Sequence, residues 1–182
     1  MHVASQRMSQ GIHINFRRRN DGMKVIFLDI DGVLNSMDWF EKTKGTKGYR
    51  EINPKKVEFL KEIVDKTNAK IVLSSTWRGL AKSETEEEHP MYSYLVDTLR
   101  KYGMEIFQHT PYINQERPKE IKAWIEKNKE RIGQFVSLDD DFSEEDYKEY
   151  GIEKFLVKTS FYEKDGGLRQ EHVEKAIEIL NK

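Results

Sequence analysis

Five short apolar runs rich in β-branched and aromatic residues recur along the chain, and most of the gaps between them carry apolar residues at helical spacing. The runs are Lys24–Asp29, Lys70–Ser75, Met104–Phe107, Gln134–Asp139 and Lys154–Lys158. Asn53-Pro54 has the chemistry of a helix N-cap and first helical residue, and Val57, Leu60, Ile63 and Val64 follow on one face. Further helices are predicted over Pro90–Tyr102, closed by Gly103, over Pro118–Lys129 with Ile121, Trp124 and Ile125 inward, and over Gln170–Leu180. Strands alternating with helices imply βαβ units and a mostly parallel sheet covered on both faces. The polar stretch Asn35–Arg50, with Trp39, Phe40, Gly45 and Gly48, is expected as a loop. Glu84–Glu88 and Asp139–Glu149 are expected as loops or solvated helix faces.

At 182 residues the chain suits one domain. Its 31 Lys and Arg against 32 Asp and Glu, a net charge of −1, argue against a protein that coats nucleic acid through bulk charge. The absence of cysteine removes disulfides, thiolate metal sites and thiol nucleophiles. No apolar run reaches the roughly 18 residues of a membrane span, so a soluble, cytoplasmic protein is expected. Residues 1–22 are polar and lack the apolar stretch of a secretory signal. Met23 opens MKVIFLDIDGV, as a chain starting directly on its first strand would read. Purine-rich codons for Arg18 and Arg19 would form a ribosome-binding sequence at a suitable distance upstream of Met23. We therefore expect residues 1–22 to be a leader outside the folded domain, which spans 23–182.

Three predicted strands end in residues that bear chemistry: Asp29-Ile30-Asp31-Gly32, Ser74-Ser75-Thr76 and Asp139-Asp140-Asp141. In open α/β sheets, ligands bind beyond the carboxyl ends of the strands. Two carboxylates at i and i+2 can share one side of extended chain, and Gly32 permits a sharp turn after them. Facing Asp139, they form an oxygen-rich site whose repulsion a hard cation such as Mg²⁺ relieves. Hydroxyl and backbone N–H groups at Ser74 and Ser75 suit phosphoryl oxygens. A basic residue at the next helix start, Arg117 or Lys119, would neutralise charge there. Such a set suits phosphoryl transfer, with Asp29 attacking phosphorus and Asp31 passing a proton to the leaving oxygen. Trp39 and Phe40 sit where a flap would border the site, able to stack on a base or to pack the flap down. Arg78 is open to two roles, a substrate contact or a structural ion pair, while His89 and His109 are isolated and carry no catalytic assignment.

The stretch Asp29-Ile30-Asp31-Gly32-Val33-Leu34 resembles motif I (DxDGxx) of the haloacid dehalogenase (HAD) superfamily. Ser74 is similar to its motif II hydroxyl and Asp139-Asp140 to its motif IV acids. The resemblance sharpens at Leu73-Ser74-Ser75-Thr76-Trp77-Arg78, at Arg117-Pro118-Lys119-Glu120-Ile121 with Trp124, and at Leu138-Asp139-Asp140-Asp141. These are similar to the small HAD domains of Swiss-army-knife RNA repair proteins, over roughly Lys24 to Asn181. The resemblance implies a three-layer Rossmann-like fold, strand order 3-2-1-4-5, with a minimal cap or none. It implies Asp29 as nucleophile and first metal ligand, Asp31 as general acid/base with its carbonyl on Mg²⁺, and Asp139 as a ligand assisted by Asp140. Motif III usually carries Lys; here Arg117 is favoured over Lys119. The implied substrate is a nucleotide or a nucleic-acid phosphate end. A small metabolite or phosphoprotein is the alternative substrate, and a catalytically silent phosphate- or nucleic-acid-binding module the alternative class.

Overall fold

The computed structural model describes residues 22–44 and 51–182, so the expectations for residues 1–21, and for Gly45 and Gly48, lie outside the described residues. Strands β1 (Met23–Leu28), β2 (Lys70–Leu73), β3 (Ile106–His109), β4 (Ile132–Asp139) and β5 (Leu156–Lys158) form one parallel sheet ordered β3-β2-β1-β4-β5. The helices are α1 (Met37–Thr43), α2 (Pro54–Thr67), α3 (Pro90–Lys101), α4 (Arg117–Asn128), α5 (Glu144–Lys148) and α6 (Gln170–Leu180). No helix among the described residues is long and apolar enough to cross a membrane.

The pleat of β1 explains the three layers. Ile26 and Leu28 point into a core shared with Leu60 and Ile63 of α2, Leu95 of α3 and Val173 of α6. Val25 and Phe27 point the other way, onto Ile121 and Trp124 of α4 and Tyr147 of α5. A strand buried on both faces has no polar alternation to show, hence the continuous apolar runs.

Sequence and structure differ at several element boundaries, with β4 starting at Ile132 rather than Gln134 and β5 at Leu156 rather than Lys154, and three further differences have local reasons. Residues 37–43, expected as loop, form α1, because the Ser36 hydroxyl accepts from the Trp39 N–H at 3.4 Å and Asp38 sits in the first turn. Strand β3 begins two residues later than expected. Met104 N–H bonds to Leu99 O at 3.0 Å and Gly103 N–H to Arg100 O at 2.9 Å, a Schellman closure of α3 with Gly103 at φ 73°. Within the acidic stretch 139–149, a Ser143–Asp146 capping box nucleates α5, and this helix carries the fully buried Tyr147.

Sheet register delivers the site. Leu28 lies beside Leu73 on one flank and Leu138 on the other, so Asp29, Ser74 and Asp139 emerge together at the carboxyl edge. Backbone bonds continue past the strands, from Asp29 N–H to Leu138 O at 3.1 Å and from Ser74 N–H to Leu28 O at 2.8 Å.

Candidate active site

Asp29 and Asp139 are buried beyond the strand ends, and the Arg117 guanidinium bridges them. Its Nη1 donates to Oδ2 of Asp29 at 2.6 Å and to Oδ2 of Asp139 at 2.9 Å. Arg117 is the first residue of α4, so the helix start holds the cation against the sheet edge. Lys119, two residues on, is half-buried and pairs with Glu116 at 3.2 Å. Of the two basic candidates, only Arg117 touches the acids.

The acids are held from behind. Oδ1 of Asp139 accepts backbone N–H groups of Asp141 at 2.8 Å and Phe142 at 3.3 Å, while the Tyr147 hydroxyl donates to Oδ2 at 3.0 Å. Oδ1 of Asp29 accepts the Ile30 N–H at 2.8 Å. The Asp31 carboxyl is fixed on both oxygens, by Asn35 Nδ2 at 2.8 Å and by Trp77 Nε1 at 3.0 Å. Gly32 turns the chain at φ 70°, and a Cβ there would lie 2.0 Å from Cγ of Asp140. The glycine is therefore needed both for its conformation and for the space Asp140 occupies.

Charge is unbalanced in this pocket. Burial pushes the Asp29 carboxyl up to about 7; Arg117 pulls it down and the Asp139 charge adds to the rise. Burial also pushes Asp140 up to about 6, with the charges of Asp139 and Asp141 contributing. Burial alone opposes the Arg117 charge, but Asp139 and Asp29 overcome it and hold the guanidinium above its ordinary range. Three carboxylates thus face Arg117, with Lys158 acting on Asp140 alone among them. Asp29, Asp139 and Asp140 each offer an oxygen, and these oxygens lie within 4.8 Å of one another. Hard oxygen donors with a net negative charge fit a divalent ion such as Mg²⁺.

The two serines differ in surroundings. The Ser75 hydroxyl bonds to Asp29 and accepts the Trp77 N–H at 3.4 Å, whereas the buried Ser74 hydroxyl has no partner among the described residues. Arg78 pairs within the protein, Nη1 donating to Ser75 O at 2.7 Å and Nη2 lying 2.7 Å from Glu120, and it also lines a cavity beside the site. Trp39 lies on α1 with Lys42 Nζ 5.3 Å from its ring centre, and lines neither cavity described below. Asp29, Asp31, Arg117 and Asp140 line a cavity of about 240 Å³ together with Thr76 and Tyr162.

The sequence assigned no role to Asn35, Tyr147 or Thr159, although Val157-Lys158-Thr159 also fits the family resemblance. Thr159 donates to Gly32 O at 2.7 Å and ties β5 to the motif I turn. The signal for Tyr147 was present: Phe142, Tyr147 and Tyr150 are large aromatic residues inside an acid-rich stretch, which mark a buried face.

A five-stranded parallel α/β/α layering with this acid cluster at the carboxyl edge defines a HAD-type domain. Residues 25–173 match the family described as the HAD domain in Swiss Army Knife RNA repair proteins, and the chain belongs to that family. No curated protein and no solved structure matches the chain.

Proposed function

We propose that this domain is a Mg²⁺-dependent phosphomonoester hydrolase that works through an aspartyl-phosphate on nucleotide or polynucleotide phosphate ends. The observation that carries the reading is the Asp29–Arg117–Asp139 bridge beside Asp140, a buried acid cluster with one fixed cation. Asp29, Asp139 and Asp140 would hold Mg²⁺, with the Asp31 carbonyl, and the ion would offset the negative charge of phosphate and carboxylates.

The chain's own groups supply the rest. A carboxylate oxygen of Asp29 forms a bond to phosphorus as the bond to the leaving oxygen breaks. The Asp31 carboxyl, oriented by Asn35 and Trp77, gives its proton to that leaving oxygen. Asp31 then takes a proton from water, whose oxygen attacks phosphorus; phosphate departs and the Asp29 carboxylate returns. Arg117 and the Ser75 hydroxyl hold phosphoryl oxygens and stabilise the charge that develops. Membership of an RNA repair protein family supports a nucleic-acid phosphate end as substrate.

Phosphate release from a generic aryl phosphate should require Mg²⁺. Asp29→Asn should lower the rate on the order of 10³-fold or more while the protein stays folded. A folded wild type that binds Mg²⁺ yet turns over nothing in a broad phosphomonoester panel would overturn the reading in favour of a binding module.

A further inference from the structure

A second cavity, of about 560 Å³, opens beside the acid pocket and shares Thr76, Arg117 and Asp141 with it. We propose that this cavity is a nucleoside subsite, which stacks the base of the substrate's terminal nucleotide on Tyr112 and Phe142 while the phosphate lies over Asp29. The inference rests on the phosphomonoester reading and specifies its substrate class.

Size comes first. The acid pocket, at about 240 Å³, accommodates a phosphoryl group and its ligands, and the larger cavity beside it offers space for the leaving group. The second cavity falls in the roughly 300–1,000 Å³ range of pockets that enclose organic ligands.

The chemistry of the walls selects among leaving groups. A guanidinium lies over each aromatic ring: Cζ of Arg78 is 5.7 Å from the Tyr112 ring centre, and Cζ of Arg117 is 5.4 Å from that of Phe142. Neither arginine is available to a second phosphate, because Arg78 is paired with Glu120 and Arg117 sits between the two aspartates, in position for the reacting phosphate. The walls therefore suit a flat neutral ring better than a polyanion. Tyr112 remains 68 % exposed, a large ring left uncovered at the cavity. Its loop is held in place: the Ile113 N–H donates to Glu120 at 2.8 Å, and Gln115 Nε2 donates to the Tyr112 hydroxyl at 3.2 Å. Asn114 and Gln115 both sit at positive φ, 55° and 61°, a local strain that surrounding structure must sustain. Gln115, which also lines the cavity, adds an amide suited to base edges.

Binding measured in the Asp29→Asn protein tests this without turnover, using adenosine monophosphates phosphorylated at the 5′ or 3′ position, a phosphorylated dinucleotide and ribose 5-phosphate. At least one adenosine ligand should bind about tenfold or more tightly than ribose 5-phosphate. Tyr112→Ala should remove most of that advantage and Tyr112→Phe should keep it. A tighter dinucleotide points to strand ends as the source of the nucleoside, and equal affinities point to free nucleotides; either supports the subsite. Ribose 5-phosphate binding as tightly as every adenosine ligand, or an unchanged advantage in folded Tyr112→Ala, would overturn it. Aryl phosphate turnover by the wild type reports separately on the hydrolase reading, so the two can fail independently.

Discussion

Arg117 and Tyr147 show how single side chains manage buried charge. Arg117 is one cation shared by two aspartates, and Tyr147 relieves the second of them by donating to Asp139 while bonded to the Ser137 hydroxyl at 2.7 Å. Burial and the Asp139 charge raise the Tyr147 phenol far above its usual range, so it stays protonated and remains a donor. Tyr147→Phe removes a hydrogen bond to a charged group and should cost about 1–3 kcal/mol. Urea unfolding should show a lower midpoint with unchanged slope; a shift worth less than about 0.5 kcal/mol would assign the hydroxyl no energetic role. At this scale the sequence revealed the acids and favoured Arg117 over Lys119 through the family resemblance, but carried no local signal of which base reaches them. That depends on where α4 begins against the sheet edge, and the two residues point to different sides of a helix start.

Elements position these residues through their ends. The turn after β1 is pinned by Asn35, whose Oδ1 accepts the Gly32 N–H at 3.0 Å, and by Thr159 on the Gly32 carbonyl. Gly32→Ala combines a left-handed backbone with a Cβ inside the Asp140 carboxylate, and should cost about 1–3 kcal/mol. Displacement of Asp140 should also raise severalfold the Mg²⁺ concentration needed for half-maximal phosphate release. Unchanged thermal stability together with unchanged Mg²⁺ dependence would refute this account of the turn. The strands and long helices were legible because their faces are apolar at a clear period. Short α1 and α5 were not, since each depends on one serine cap rather than on an apolar stripe.

Across the whole molecule, the half-buried His109 and the buried His172 tie stability to pH. Burial and the Arg78 charge lower His109, which bonds to the Tyr92 hydroxyl at 2.7 Å; burial and the Arg169 charge lower His172. The unfolded chain then binds protons that the folded chain refuses. The stability they contribute is complete above the ordinary value of 6.5 and falls as pH drops through their lowered values. The raised Asp29 and Asp140 carboxyls act with the opposite sign, so the test is a difference. Between about pH 8 and about pH 5, the melting temperature of the wild type should fall relative to that of His109→Gln; parallel curves would exclude His109 as a contributor. The sequence by itself determined the layered parallel sheet and the acidic residues at its carboxyl edge, because burial on both faces writes itself as apolar runs that stop where chemistry begins. Only the tertiary structure decided which groups meet there. The Arg117–Asp29 bridge, the Trp77–Asp31 hydrogen bond and the aromatic cavity all join residues far apart in the chain. Contacts of that kind are set by strand register and helix docking, which leave no local pattern to read.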